Sequence, residues 1–215
     1  NILSKIEKGI INNERLRIYL GTQEVMARIL FYNQKIIGPG KSAGAILKFE
    51  RPIVCSIGDK FIVRKYSPLI TIGGGEILDF NLYSKWNQNK EYINKLYVKS
   101  SLSDRLVNII EKQKLKPFTF SSLSIFLNMS NEKLINLVKS SNIIVLDNNW
   151  LVTENQFNSI IDKINCYFDD YHKNNPYSNG IIKDVISSSL YMESSFLEYI
   201  LNYLLKKSQL KNNDS

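Results

Sequence analysis

The 215 residues carry 28 Lys and Arg against 20 Asp and Glu, a net charge of +8, with 44% hydrophobic and 22% charged residues. That balance suits a chain that buries real cores in one to three domains, and it excludes a disordered or collagen-like polymer. No apolar run approaches the roughly 18 residues of a membrane span and no signal-peptide pattern opens the chain, which reads as cytoplasmic, monomeric and without a membrane partner.

The charge is uneven. Residues 1–85 hold 13 Lys/Arg and 7 Asp/Glu, whereas residues 86–215 hold 15 and 13. If a polyanion is bound, the first segment is the better suspect; the alternative is that Lys, Asn and Ile enrichment reflects a biased genome. The chain begins at Asn1 rather than Met, which points to a fragment or a processed chain.

Up to about Phe80 the pattern has period two. Leu16, Ile18 and Leu20 share one face of Arg15–Leu20, with Arg15, Arg17 and Tyr19 on the other, as a half-buried strand requires. Glu24–Tyr32 repeats the alternation after a Gly21-Thr22 turn. Ala43–Phe49, Lys60–Lys65 and Thr71–Phe80 supply further short strands, separated by turns at Gly38–Lys41, Ser56–Asp59 and Tyr66–Pro68. This spacing predicts a small antiparallel barrel or sandwich.

The turn at Gly38–Lys41 reads on into Ser42 as Gly-Lys-Ser, the end of a phosphate-binding loop. That loop needs a glycine at the position of Lys35 and a helix after it, with the helix N-terminus facing the anion. A strand-like run follows instead, so the stretch is read as a turn entering a strand.

Beyond the run "NLYSKWNQNK" the period becomes helical. Leu102, Leu106, Ile109 and Ile110 make one stripe with Ser103 available as N-cap; Phe120, Leu123 and Leu127 a second; Leu134, Leu137 and Val138 a third behind Ser130. Two β-rich runs around Asp147–Asn149 read as a hairpin. Three short helices ending in a hairpin are the order of a winged helix. A second copy starts at Thr153, whose spacing to Gln156 predicts a capping box. Its first helix carries Phe157, Ile160, Ile161, Ile164, Phe168 and Tyr171, and its hairpin is missing. The expected class is therefore α+β and multidomain: a small antiparallel β-barrel over 1–84, then tandem winged helices over 85–153 and 154–215.

No metal site is expected. Cys55 and Cys166 lie far apart and read as reduced cysteines, and His172 has no Cys or His at ligand spacing, whereas a structural zinc wants four such ligands. His172 has no paired nucleophile and reads as a helix-end residue before Pro176.

Several stretches together resemble the selenocysteine-specific elongation factor (SelB) family. "FIVRKYSPLITIGGGEILDF" resembles its R-x-Y-S-P…T-I-G-G-G-x-V-L-D signature, and "IYLGTQEVMARI" its G-T-x-E-V-x-x-R strand pair. "GPGKSAGAILKFERPIVCSIGDKFIVR" and "YHKNNPYSNGIIKDVISSSL" are similar to two further runs of that family, in its order and spacing. The resemblance implies an EF-Tu-like third barrel domain, followed by the first two winged helices of a factor that delivers selenocysteinyl-tRNA to the ribosome at UGA codons. The GTP and Mg2+ of that factor belong to a G domain, and its reading of an mRNA hairpin to later modules. Neither lies in these residues, so no enzyme activity or cofactor is expected of them. Tyr19 stands where the family often has His.

The resemblance further implies that the barrel helps grip the tRNA. Such a grip needs cations and backbone donors at phosphates and 2′-hydroxyls. Arg64, Lys65 and Tyr66 before the turn, with Thr71, Gly73, Gly74 and Gly75 after it, fit that need, together with Arg28. The other reading is that the glycines form a bulge and that Arg64 braces the turn. Arg15 and Arg17 are either part of a wider phosphate-facing surface or a solvated strand face. In the second helical module Glu193, Glu198, Tyr199 and Asn202 are expected on the outer face of the third helix, which suits phosphates poorly; the two modules then act as spacers or protein-contacting modules. The competing function is a DNA-binding regulator with winged helices and a barrel sensor, and a stand-alone GTPase is a weaker third.

Overall fold

The computed structural model describes residues 1–32, 34–83, 86–98 and 101–207. It is α+β, with an antiparallel β region first and a helical region with small sheets after it. The strands β2 (Arg15–Leu20), β3 (Gln23–Phe31), β5 (Ala45–Phe49), β6 (Lys60–Lys65) and β7 (Thr71–Glu76) form one sheet in the order β5-β3-β2-β6-β7. A small pair, β1 (Ile10–Ile11) with β4 (Ile36–Ile37), lies outside it.

Alternation decides which side faces in. Leu16, Ile18, Val25, Ala27, Phe31 and Val63 are buried in one core with Ile2, Ile10, Ile29, Ile37 and Ile72. The inward residues of both edge strands, Ala45, Leu47 and Phe49 on β5 and Ile72 on β7, pack on that same core, so the sheet is curled round it. Between β6 and β7 the register shifts: Val63 pairs Gly73, Arg64 pairs Thr71, and Ile72 is the extra residue of a bulge.

The turn at Gly38–Lys41 is closed by Lys41 N–H donating to Gly38 O at 3.2 Å, with Gly40 at φ +70°. Strand β5 follows, not a helix, so this Gly-Lys-Ser does not lead into a helix N-terminus. The strand starts at Ala45 rather than Ala43, and a Cβ on Gly44 would sit 2.6 Å from Ile93 Cγ2 of the helix α1 (Trp86–Val98). The last strand stops at Glu76 rather than Phe80.

The helical region begins with α1, in which Asn89, Tyr92, Ile93 and Leu96 are buried among the described residues. Then come α2 (Leu102–Lys112), β8 (Phe118–Thr119), α3 (Phe120–Leu127), α4 (Asn131–Lys139), β9 (Ile144–Val145), a 3₁₀ turn over Asp147–Asn149, and β10 (Trp150–Val152). The strands form a sheet in the order β8-β10-β9, so the expected hairpin is present with a third strand added. Finally α5 (Glu154–Asn174), α6 (Lys183–Leu190) and α7 (Ser194–Lys206) follow without a strand among the described residues.

Several local expectations change. Ser101, not Ser103, caps α2, its Oγ accepting from Asp104 N at 3.0 Å. Leu102 is 60% exposed and leaves the stripe of Leu106, Ile109 and Ile110. Ser130 makes no side-chain cap bond, while Thr119 with Ser122 forms a full capping box. Thr153 caps α5 through Gln156 N, but the Gln156 side chain turns away to donate to Lys114 O at 2.8 Å, so the box is half formed. Tyr199, expected outward, packs on Trp150 with ring centroids 5.6 Å apart.

Helix pairs α3–α4 and α6–α7 share one turn. Ser124 Oγ donates to Met129 O and Ser187 Oγ to Met192 O, each at 2.7 Å. In both, the residue ending the first helix is left-handed, Asn128 at φ +49° and Tyr191 at φ +52°. The repeat is legible as S-x-x-L-[NY]-M over Ser124–Met129 and Ser187–Met192.

Candidate nucleic-acid interface

The outer face of the sheet is built by the residues that alternate with its core. Strand register puts Lys48, Arg28 and Arg15 in one row, and Met26, Arg17, Arg64 and Thr71 in the next. Five cations from four strands thus share one face.

Carboxylates answer only part of this charge. Glu50 takes two hydrogen bonds from Arg15, at 2.6 and 2.8 Å, which hold its carboxyl below the ordinary range. Glu24 pairs with Arg17. Among the described residues Arg28, Lys48 and Arg64 make no salt bridge. Arg28 Nη1 donates to Asn13 O at 3.1 Å and Arg64 Nη2 to Leu69 O at 3.2 Å, so Arg64 does brace its turn.

Aromatic rings interleave with the arginines. The Arg15 and Arg17 guanidinium carbons lie 5.4 and 5.8 Å from the centroid of Tyr66, and that of Arg64 lies 5.7 Å from Tyr19. Cation–π contact contributes about 0.5–1 kcal/mol at exposed sites and holds the guanidinium planes in place. Tyr66 stays 56% exposed, so part of its ring is open to a partner. A face of this kind offers fixed charge and stacking surface to a phosphodiester backbone.

The sequence-derived residues divide. Arg28, Arg64 and Thr71 share the outer face, joined by Tyr66 beyond the strand end. Lys65 is paired with the fully buried Leu16 and has the opposite parity from Arg64. The three glycines are closed in by the chain itself: a Cβ would sit 2.3 Å from Asn1 O at Gly73, 2.7 Å from Phe61 O at Gly74 and 2.4 Å from Phe61 Cζ at Gly75. Their close backbone approach is used within the barrel, in line with the bulge reading. Lys48 was missed, although the inward alternation of Ala45, Leu47 and Phe49 already turned it outward.

Gly73 gives a direct check. A Cβ there meets backbone, which cannot swing aside, so Gly73→Ala is expected to displace the Asn1–Ile2 segment and cost about 1–3 kcal/mol in urea unfolding, the usual range for overpacking. A cost within about 0.5 kcal/mol, the level of a neutral surface change, would show that the segment yields freely.

Residues 2–83 match the family profile described as "Selenocysteine-specific elongation factor, beta-barrel domain". This stretch belongs to the SelB β-barrel domain family. A selenocysteine-specific elongation factor of Desulfomicrobium baculatum is 31% identical to this chain over 77 residues, 36% of this chain and 12% of that protein. The crystal structure of a bacterial selenocysteine-specific elongation factor, EF-Sec, superposes with a TM-score of 0.68 at 15% identity, over all of this chain and 32% of that one. At that identity the likeness is one of fold, and it extends past the SelB barrel through the helical region. The chain spans about a third of the length of that solved relative.

Proposed function

We propose that the chain is part of a translation factor that delivers selenocysteinyl-tRNA, and that the outer face of its barrel holds the backbone of that tRNA. The observation that carries this is the row structure of Lys48, Arg28, Arg15, Arg17 and Arg64 in a SelB barrel, with Tyr66 exposed beside them. Phosphates and 2′-hydroxyls are met by charge and hydrogen-bond donors rather than base readers, as A-form RNA demands. The helical region divides into two tandem winged helices over 85–153 and 154–215, supported by the repeated helix turns and the hairpin β9–β10. They carry the factor's mRNA-reading end away from the barrel. GTP and Mg2+ belong to a G domain elsewhere in such a factor.

The test is binding to selenocysteine tRNA and to an ordinary elongator tRNA. Arg28→Ala with Arg64→Ala is expected to weaken binding at least about tenfold, since one hydrogen bond to a charged group contributes about 1.5–3 kcal/mol. Each lost phosphate contact also lowers the salt slope by about one. Equal or absent binding of the two tRNAs by folded protein overturns the reading, and tight duplex-DNA binding would favour the regulator alternative instead.

A further inference from the structure

The exit of the barrel is held at one buried polar point. Asp79 and Lys112 form an ion pair at 2.7 Å with side chains only 4% and 7% exposed. The same Asp79 Oδ2 accepts from Tyr92 OH at 2.6 Å, and its Oδ1 accepts from Asn81 N at 2.8 Å. Lys112 also donates to Asn81 O and lies 4.3 Å from the Tyr92 ring centroid and 5.2 Å from that of Tyr83. Asn89 of α1 clasps the Tyr83 backbone, accepting from its N and donating to its O, each at 2.7 Å. The barrel exit, α1 and α2 therefore meet at a single carboxylate.

Apolar contact alone would attach the two parts without setting an angle. Ile57 and Leu78 from the barrel side already pack on the core of α1–α4, and hydrophobic adhesion is non-directional. Charge-assisted hydrogen bonds on both oxygens of one carboxylate are directional and satisfied in one arrangement only. The next junction is built alike. Thr153 Oγ1 donates to Glu111 Oε1 at 3.0 Å, Gln156 Nε2 reaches Lys114 O, and Trp150 of β10 lies in the core of α5–α7.

We infer that Asp79, Lys112 and Tyr92 are positioning residues that lock the helical region at one angle on the barrel, so that the chain acts as a rigid arm rather than as domains on a tether. The inference is independent of the proposed tRNA grip, because the angle is read without RNA.

The experiment places spin labels at Val54→Cys in the barrel and Tyr177→Cys in α5–α7, positions 82% and 98% exposed, after Cys55 and Cys166 are replaced by Ser. The otherwise unchanged chain is expected to give one narrow distance peak. The pair Asp79→Asn with Lys112→Met is expected to lose that single peak while near-UV dichroism shows both halves folded. Tyr92→Phe, which removes one hydrogen bond and keeps the ring, is expected to broaden it less. A broad or multiple distribution in the unchanged chain overturns the lock. So does a peak that stays narrow in the folded Tyr92→Phe and Asp79→Asn/Lys112→Met proteins.

Discussion

Asp79→Ala is expected to lower stability by about 3–5 kcal/mol, the range for removing one partner of a buried ion pair. The loss comes from what is left behind. Among the described residues Lys112, with 7% of its side chain exposed, keeps only Asn81 O and the rings of Tyr83 and Tyr92 to answer its charge. Tyr92 loses its acceptor too. Burial first, and then the Asp79 carboxylate, push that phenol well above the ordinary tyrosine range, so it stays a donor at any pH of interest. Urea unfolding should show the drop as a lower midpoint. Replacing both charges, Asp79→Leu with Lys112→Met, should recover much of it, because apolar substitutes for a buried pair are often neutral or better. A single-variant loss under about 1 kcal/mol, the level of an exposed pair, would show that water reaches the site.

Phe196→Ala is expected to cost a similar amount, about 3–5 kcal/mol, as for other large buried aromatics. The ring is fully buried and meets Trp150 edge-on with centroids 5.1 Å apart. Trp150 sits in β10, whose next residue Leu151 is buried in the core of α2–α4. The cavity therefore opens at the seam of both helical units, and the near-UV signal of Trp150 should fall along with the unfolding midpoint. Ile125→Ala, at a position 81% exposed, is the control and should stay within about 0.5 kcal/mol. A Phe196→Ala cost no larger than that of the control would mean the two units do not share this core.

The strands were legible because one signal is enough for them. In Arg15–Leu20 every second residue is apolar, and the structure buries Leu16, Ile18 and Leu20 as that period demands. The same period separates Arg64 from Lys65: parity alone turns one out and pairs the other with buried Leu16. Helix α1 was not legible. Tyr92, Ile93 and Leu96 are too few to declare a stripe, and its partners are residues distant in sequence, Gly44 among them. The capping box at Thr153 is only half formed for a related reason: the Gln156 side chain reaches Lys114 O, 42 residues away, in place of its own helix end.

The candidate site shows the same division. Residue type and alternation, which are local, put Arg15 and Arg17 on outward positions of their strand, and the same alternation turns Arg28, Lys48 and Arg64 outward once the strand bounds are known. Which of them stand side by side is a matter of strand register, set by bulges and pairings that no local pattern encodes. The glycines Gly73–Gly75 announced a close approach, and only the packed barrel shows that the approaching atoms are those of Asn1 and Phe61. Asp79 read as one residue of a motif. Its meaning lies in Tyr92 and Lys112, 13 and 33 residues further on. Periodicity makes elements, a short-range effect of side-chain direction. A buried charge gets its partner from wherever the fold brings one, because the cost of burial falls on the assembled structure and not on the chain.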